Sequence, residues 1–387
     1  MASKTSNQSA VWVLFASCFL WNLCNGMLFV VTPLYAMTLG LSLLDISALV
    51  GLPYVATILI RFLGGAIADR FGEHRMLQGC YLFNTLGSLA LASATGFGTL
   101  LGSSALANLS RSTFWVPAQS MASQLSQDNV GKGLGRLSAA NYSGQLLGLS
   151  LGGVLSGLLG YFATFVVLNA LTLLCALLGL VLPAVRRKPS GRSVWQITMA
   201  MGRRLCQAHT WLVISASAAA AVPFALTQSI YPVYMAQLNF PDQWISPAVA
   251  LRSVGPVLTG LVLGPLITIH RERVLYAVGM TGLGVSVLGM AGSSQLWAVA
   301  LCIGGLGIAG AVMDLLNQVQ AVSISQGSDR SAVMASTGLG WNISPMILPI
   351  VLGWLAETEG FQLTFLVTGV FFSVVALGTP LLFRVMR

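Results

Sequence analysis

The sequence predicts an all-α polytopic membrane protein, with twelve transmembrane helices in two pseudo-symmetric six-helix bundles. Three observations predict it. The 387 residues are 56% hydrophobic and only 7% charged, with a mean hydropathy of +0.82, whereas a soluble domain carries about 25% charged residues. The basic residues occupy alternate loops. The two halves of the chain repeat one another.

A membrane crossing takes about 20 apolar residues, and apolar runs of that kind follow one another along the chain. The expected spans are 11–37, 46–68, 76–95, 98–125, 138–159, 163–184, 210–236, 247–269, 274–292, 296–324, 335–356 and 361–383. The first run is too long for a cleaved signal peptide and lacks a small-residue cleavage site, so it reads as the first span. The longest polar gap, 185–209, divides the chain into a bundle at 1–184 and a bundle at 210–387. Within this connector, Val194 to Gln207 alternates apolar and basic residues, which suits an interfacial helix and equally a flexible linker.

Sixteen of the 19 Lys and Arg fall in the N-terminal tail, the loop around Arg70 and Arg75, the 132–136 loop, the connector, the loops at 271–273 and 330, and the C-terminus. The loops near 37–46, 95–98, 160–162, 237–246, 293–295 and 357–360 carry none. This positive-inside pattern places both termini in the cytoplasm. It also explains the net charge of +9 without nucleic acid. Five of the six cysteines sit in apolar runs, so no disulfide framework is readable.

The repeat holds a register of 199 to 201 residues. Thr32-Pro33-Leu34-Tyr35 corresponds to Tyr231-Pro232-Val233-Tyr234, and Leu39, Ile46 and Ser47 recur as Leu238, Ile245 and Ser246. Gln119 and Asp128 match Gln320 and Asp329, and Gly153 and Gly160 match Gly353 and Gly360. Parallel repeats of this kind, with a solute site between the halves, are a transporter architecture.

The hairpin between the second and third spans contains Gly65, Asp69, Arg70, Gly72, Arg75 and Leu77. It resembles the loop signature of the major facilitator superfamily, G-x-L-a-D-R-x-G-r-k-x-x-l, with Glu73 and His74 at the two basic positions. The resemblance implies a cytoplasmic gate formed by Gly65, Asp69, Arg70, Gly72 and Arg75. The second half holds only an echo, Gly264 to Arg273, with Thr268 in the place of Asp69. In the fifth span, Gly144, Gly148, Gly152 and Gly153 resemble the g-x-x-x-G-P-x-x-G-G signature of the superfamily's export branches, with Leu149 in place of the proline. The same small residues also allow close helix packing. The resemblance covers essentially the whole chain. It implies a secondary transporter without enzymatic activity or cofactor, and a bacterial cytoplasmic-membrane location.

Ionisable groups inside a bilayer are costly and mark functional positions. Asp314 lies deep in the tenth span and shares a face with Asn317 and Gln318, while Asn108, Arg111, Trp115 and Gln119 line one face of the fourth. Arg111 also stands where the superfamily's fourth-helix signature has its arginine, a residue tied to proton transfer in proton-coupled relatives. Asp314 and Arg111 are therefore the expected proton-coupling pair, although a permanent ion pair is the other reading; Asp45, near the external mouth, is a further candidate carboxylate. Arg61 lies close enough to the cytoplasmic hairpin to snorkel, whereas Arg252 lies nearer the external half. Two arginines against one carboxylate favour an anionic or zwitterionic substrate. Asn22, Asn25, Asn141, Tyr142, Gln145, Gln228, Tyr231, Trp341 and Asn342 complete the expected cavity, each reading equally as an interhelical hydrogen bond or as a ligand contact.

Other patterns lead nowhere. Gly305-Leu306-Gly307-Ile308-Ala309-Gly310 matches G-x-G-x-x-G but lies inside a span with no strand before it. The three histidines lack metal-ligand spacing. The reading is a monomeric carrier of a small molecule, with protons as coupling ion and export as the preferred direction. An uptake carrier or facilitator for an organic anion or sugar is the alternative within transport; a receptor or scaffold is the alternative outside it. The topology predicts that, in intact cells, an impermeant maleimide labels Gln295→Cys and spares Ser190→Cys. The reverse pattern contradicts it.

Overall fold

The computed structural model describes residues 2–60, 72–126, 130–183, 199, 208–262, 272–324 and 330–385. Connector residues 185–198 and 200–207, together with Arg61, Gly65, Asp69, Arg70, Asp128, Thr268 and Asp329, lie outside them. The helices are α1 (Ala2–Thr38), α2 (Leu43–Gly51), α3 (Glu73–Ala92), α4 (Phe97–Leu125), α5 (Val130–Leu180), α6 (Ala208–Thr227), α7 (Ile230–Gln237), α8 (Asp242–Ala250), α9 (Val254–Val262), α10 (Glu272–Ala291), α11 (Leu296–Ile324), α12 (Arg330–Leu377) and α13 (Thr379–Val385). Among the described residues there is no strand.

Seven of the described helical stretches are long and apolar enough to cross a membrane. Two of them, Gly133–Leu180 and Gly338–Leu377, are 48 and 40 residues long, about twice the length of one crossing. Each is broken at a glycine with positive φ, Gly160 at +78° and Gly360 at +84°. These are the two loop glycines that the repeat aligns, and only glycine adopts that conformation without strain.

Several boundaries differ from expectation. The second span begins at Leu43 because Ser42 and Asp45 close a capping box, Asp45 N–H donating to Ser42 Oγ at 3.1 Å and Ser42 N–H to the Asp45 carboxylate at 3.3 Å. Asp45 thus has a local structural task, satisfying first-turn amides. The eighth span begins at Asp242, with Pro247 inside the helix rather than before it. The seventh divides into α6 and α7 at Gln228–Ser229.

Two compact units emerge. The first comprises 1–41, 59–192 and 241–247, and the second 42–58, 193–240 and 248–387. In the first, α1 and α5 run together because α5 presents its glycines to the α1 backbone. A Cβ on Gly144 or Gly148 would overlap the carbonyl oxygen of Phe19 or Leu23, and one on Gly152 would lie 3.1 Å from Met27 Cα. Gly26 answers from α1, where a Cβ would lie 2.7 Å from Leu149 N. The core below this seam stacks Trp21 on Phe114 at 3.7 Å between ring centroids, with Cys18, Cys80, Tyr81 and Cys175 around them.

In the second unit, α9 crosses α11 where Gly255 meets Gly307, and Gly307 in turn lies against the Arg252 carbonyl. Gly310 faces Pro223. The glycines of the spurious dinucleotide pattern are therefore contact points between helices.

The repeat extends to side-chain geometry. Tyr35 donates to the Ala94 carbonyl at 2.9 Å and meets Phe165 edge-on at 4.9 Å. In the second unit Tyr234 donates to the Ser293 carbonyl at 2.7 Å and meets Phe365 edge-on at 5.0 Å. Thr164 and Thr364 each cap the turn before them by donating to the carbonyls of Gly160 and Gly360, both at 2.8 Å.

Gly148→Val drives a branched side chain into the α1 backbone, which cannot yield as a flexible side chain does. Overpacking of this kind costs about 1–3 kcal/mol. The expected result is a clear loss of thermal stability in detergent, while Gly102→Val, at a position with no neighbour within 4 Å, leaves the melting curve in place.

Candidate functional site

In the first unit, helix α1 is the polar hub. Trp21 Nε1 donates to Ser110 Oγ on α4 at 2.9 Å, Asn22 Nδ2 to Asn141 Oδ1 on α5 at 2.8 Å, and Asn25 Nδ2 to Asn84 Oδ1 on α3 at 3.4 Å. One turn thus touches three neighbouring helices, because positions 21, 22 and 25 fan around the helix. Each asparagine also returns a bond to its own helix, Asn22 to the Cys18 carbonyl and Asn25 to the Trp21 carbonyl. Asn22, Asn25 and Asn141 are almost fully buried, so these expected cavity residues hold helices together here. Asn84 and Ser110, which are not singled out from the sequence, are their partners.

The exposed side of the same unit differs. Arg111 is half-buried, with its guanidinium carbon 4.7 Å from the Phe29 ring centroid. Trp115, Gln119 and Tyr142 are exposed and Gln145 half-buried. An arginine over an aromatic face is stabilised by the ring quadrupole, by about 0.5–2 kcal/mol.

The second unit holds the expected carboxylate. Asp314 is half-buried, and Trp341 Nε1 donates to its Oδ1 at 3.4 Å. Trp341 also lies edge-on to Phe224 at 5.9 Å, and the Arg252 guanidinium carbon is 5.3 Å from that same Phe224 ring. A carboxylate, an indole, a phenyl ring and a guanidinium thus follow one another across α11, α12, α6 and the 3-10 turn Leu251–Ser253. Gln228 bonds back to the Phe224 carbonyl at 3.2 Å. Asn317, Asn342 and Tyr231 are buried, and within the described residues Asn317 Oδ1, Asn342 Nδ2 and Tyr231 OH have no hydrogen-bond partner. The Gln318 side chain lies outside the described set. Arg111 belongs to the first unit and Asp314 to the second.

Of the expected cytoplasmic gate, Gly72 and Arg75 are described. Gly72 takes φ +79° at the N-cap of α3, and Arg75 is exposed. Glu73, where the loop signature carries a basic residue, is 1% exposed. It accepts from Ser120 Oγ at 2.8 Å and Gln124 Nε2 at 3.3 Å on α4, and its position in the first turn of α3 suits an anion. Its repeat counterpart Glu272 opens α10 and is 4% exposed. The shared offset of 199 residues was the available signal for this pair.

These features define a polytopic helical membrane protein built as an internal repeat, with ionisable groups at depth. A family model described as Major Facilitator Superfamily matches residues 14–251 and again 212–387, and the chain belongs to that superfamily. It is an integral multi-pass membrane transporter rather than an enzyme. The chain is 30% identical over 181 residues to a protein of Lactococcus lactis subsp. lactis (strain IL1403) described as a multi-drug resistance efflux pump PmrA homolog; the match spans 46% of this chain and 45% of that one. Among solved structures it resembles the nucleoside transporter NupG, with a TM-score of 0.81 at 14% identity, covering 97% of this chain and 99% of that one. It also resembles a bacterial homolog of the human lysosomal transporter Spinster, inward-facing and occupied, with a TM-score of 0.78 at 16% identity and 97% of each chain covered. At these identities the likeness shows the fold.

Asn22→Ala removes the bond to Asn141 and leaves a buried amide without it. Interhelical bonds in membranes average about 0.6 kcal/mol, so the variant is expected to unfold in a detergent titration slightly before the parent. The double variant with Asn141→Ala should cost less than the sum of the two singles.

Proposed function

We propose that the protein exports an amphiphilic or anionic small molecule across a bacterial cytoplasmic membrane in exchange for protons. The observation that carries this reading is the charge inventory of the spans. Each unit lays one arginine over a phenylalanine, Arg111 on Phe29 and Arg252 on Phe224, while Asp314, held by Trp341, supplies a carboxylate in the second. Rings beside guanidinium groups offer apolar contact together with bidentate anion recognition, which fits an amphiphilic anion.

In this reading the 1–184 and 210–387 bundles rock about the connector to give alternating access. Arg111 and Asp314 from the two bundles form the coupling pair. Protonation of Asp314 releases its partner and shifts the balance between the two access states. The loop residues Gly65, Asp69, Arg70, Gly72 and Arg75 gate the cytoplasmic side, where both termini lie. One chain contains the whole pathway and acts as a monomer. The likeness over 181 residues to a chain described as an efflux pump supports export, and the basic connector and tails support the orientation.

The test is proton movement in liposomes carrying the purified protein, challenged in turn with anionic, neutral and cationic amphiphiles. Anionic compounds are expected to trigger proton flux in the parent and none in Asp314→Asn. Solute flux that persists in Asp314→Asn without proton movement removes Asp314 as the coupling site and leaves a facilitator.

A further inference from the structure

Each unit contains one of two matching helix contacts, next to loops that lack basic residues. In the first unit, the Gly153 N–H donates to Ser246 Oγ at 2.6 Å, and a Cβ on Gly153 would overlap that hydroxyl and the Asp242 carbonyl. In the second, a Cβ on Gly353 would overlap Ser47 Oγ and lie 3.2 Å from the Leu43 carbonyl. Positions 47 and 246, 43 and 242, and 153 and 353 are equivalent in the repeat, so the two contacts are one design used twice. Each closes a helix start, α2 or α8, onto a glycine of α5 or α12.

The two copies differ in two ways: Ser246 Oγ accepts a hydrogen bond whereas Ser47 Oγ has no hydrogen-bond partner among the described residues, and one polar cluster is present in the first copy alone. Asp242 Oδ2 accepts from Tyr161 OH at 2.7 Å and from Ser156 Oγ at 3.2 Å. The equivalent positions in the other copy are Leu43, Phe361 and Ala356, so the acceptor and both donors are missing there together. The cluster is therefore a feature of one contact and not of the repeat. The other copy carries its carboxylate elsewhere, with the Leu44 N–H donating to Glu357 Oε2 at 2.7 Å. Glu357 is exposed whereas Ser156 is buried and Asp242 and Tyr161 half-buried, and a hydrogen bond that water does not contest is the stronger one.

We infer that Asp242, with Tyr161 and Ser156, is a positioning latch that holds the start of α8 on α5 and sets how often this contact opens during transport. The inference rests on the alternating-access reading above. The close approach of a serine to a glycine is the fit common to both copies, and the Ser246–Gly153 hydrogen bond together with the carboxylate cluster makes the α8–α5 contact the harder of the two to part. The side chains that donate to Asp242 are a phenol and an aliphatic hydroxyl. The strength of the latch therefore depends on Asp242 Oδ2 accepting both bonds.

The experiment uses the full-length protein with a reporter cysteine at Ile245, a fully buried position in the first turns of α8, and follows the rate of maleimide labelling over that of the protein without the reporter. Three latch variants are compared, Asp242→Asn, Tyr161→Phe, and the pair Ser156→Ala with Tyr161→Phe, which installs the apolar residues of the other half and so is expected to fold. Losing a hydrogen bond to a charged group is worth about a tenfold shift in equilibrium. Labelling is expected to rise about tenfold in the first two variants and further in the pair, with solute flux at saturation altered and half-saturation nearly constant. Unchanged labelling in the correctly folded pair overturns the latch while leaving transport untouched. Faster labelling with unaltered flux also overturns it, since the contact then opens outside the cycle. If no solute moves with the parent protein, the transport reading fails by itself, and labelling still decides whether the cluster holds the contact closed.

Discussion

The constraint on which this structure depends is the absence of water in the bilayer core. Backbone groups there must bond within the helix, and a polar side chain draws its partner from its own helix or from a neighbouring one. Helices have to come close for short side chains to reach. The glycines of α5 let α1 approach until Asn22 meets Asn141, and the Gly87 carbonyl likewise receives Ser103 Oγ at 2.8 Å where α3 meets α4. Small residues and asparagines are thus two parts of one solution, the first supplying proximity and the second using it.

This division explains what could be read in the sequence. The class of fold, the loop glycines Gly160 and Gly360 and the register of the repeat follow from hydropathy, charge placement and backbone chemistry, all of which are local. The repeat even anticipates particular hydrogen bonds, since Tyr35 and Tyr234 bond to carbonyls 199 residues apart. What could not be read is which polar residue meets which. Asn22, Asn25 and Asn141 read equally as cavity residues or as ties between helices, because a polar stripe that bonds to another helix has the same spacing as one that faces a solute. Asn84 escapes notice because its partner is on a different span. Glu73 looks like a departure from a loop signature, and its burial against Ser120 and Gln124 depends on how α3 and α4 pack.

The carboxylates show the same limit. Asp45 reads from the sequence as a candidate for coupling near the external mouth, and it is the third residue of α2, closing a capping box with Ser42. Asp242 reads as a loop residue, and it is the acceptor for two hydroxyls from α5. Asp314 keeps its expected place on α11 with an indole donor beside it. The functional proposal accordingly places solute recognition and coupling on Arg111, Arg252 and Asp314, and leaves the buried asparagines with the task of holding the first unit together.

The central claim is that the protein carries solute across a membrane, and solute counterflow tests it most directly. Liposomes containing the purified protein are loaded with an unlabelled anionic amphiphile and diluted into a trace of the labelled compound with no ion gradient present. A carrier that alternates access is expected to accumulate label transiently above its equilibrium level. Label that rises only to equilibrium, at the rate of protein-free liposomes, across anionic, neutral and cationic compounds, contradicts the account and leaves a membrane protein that keeps the fold without the flux.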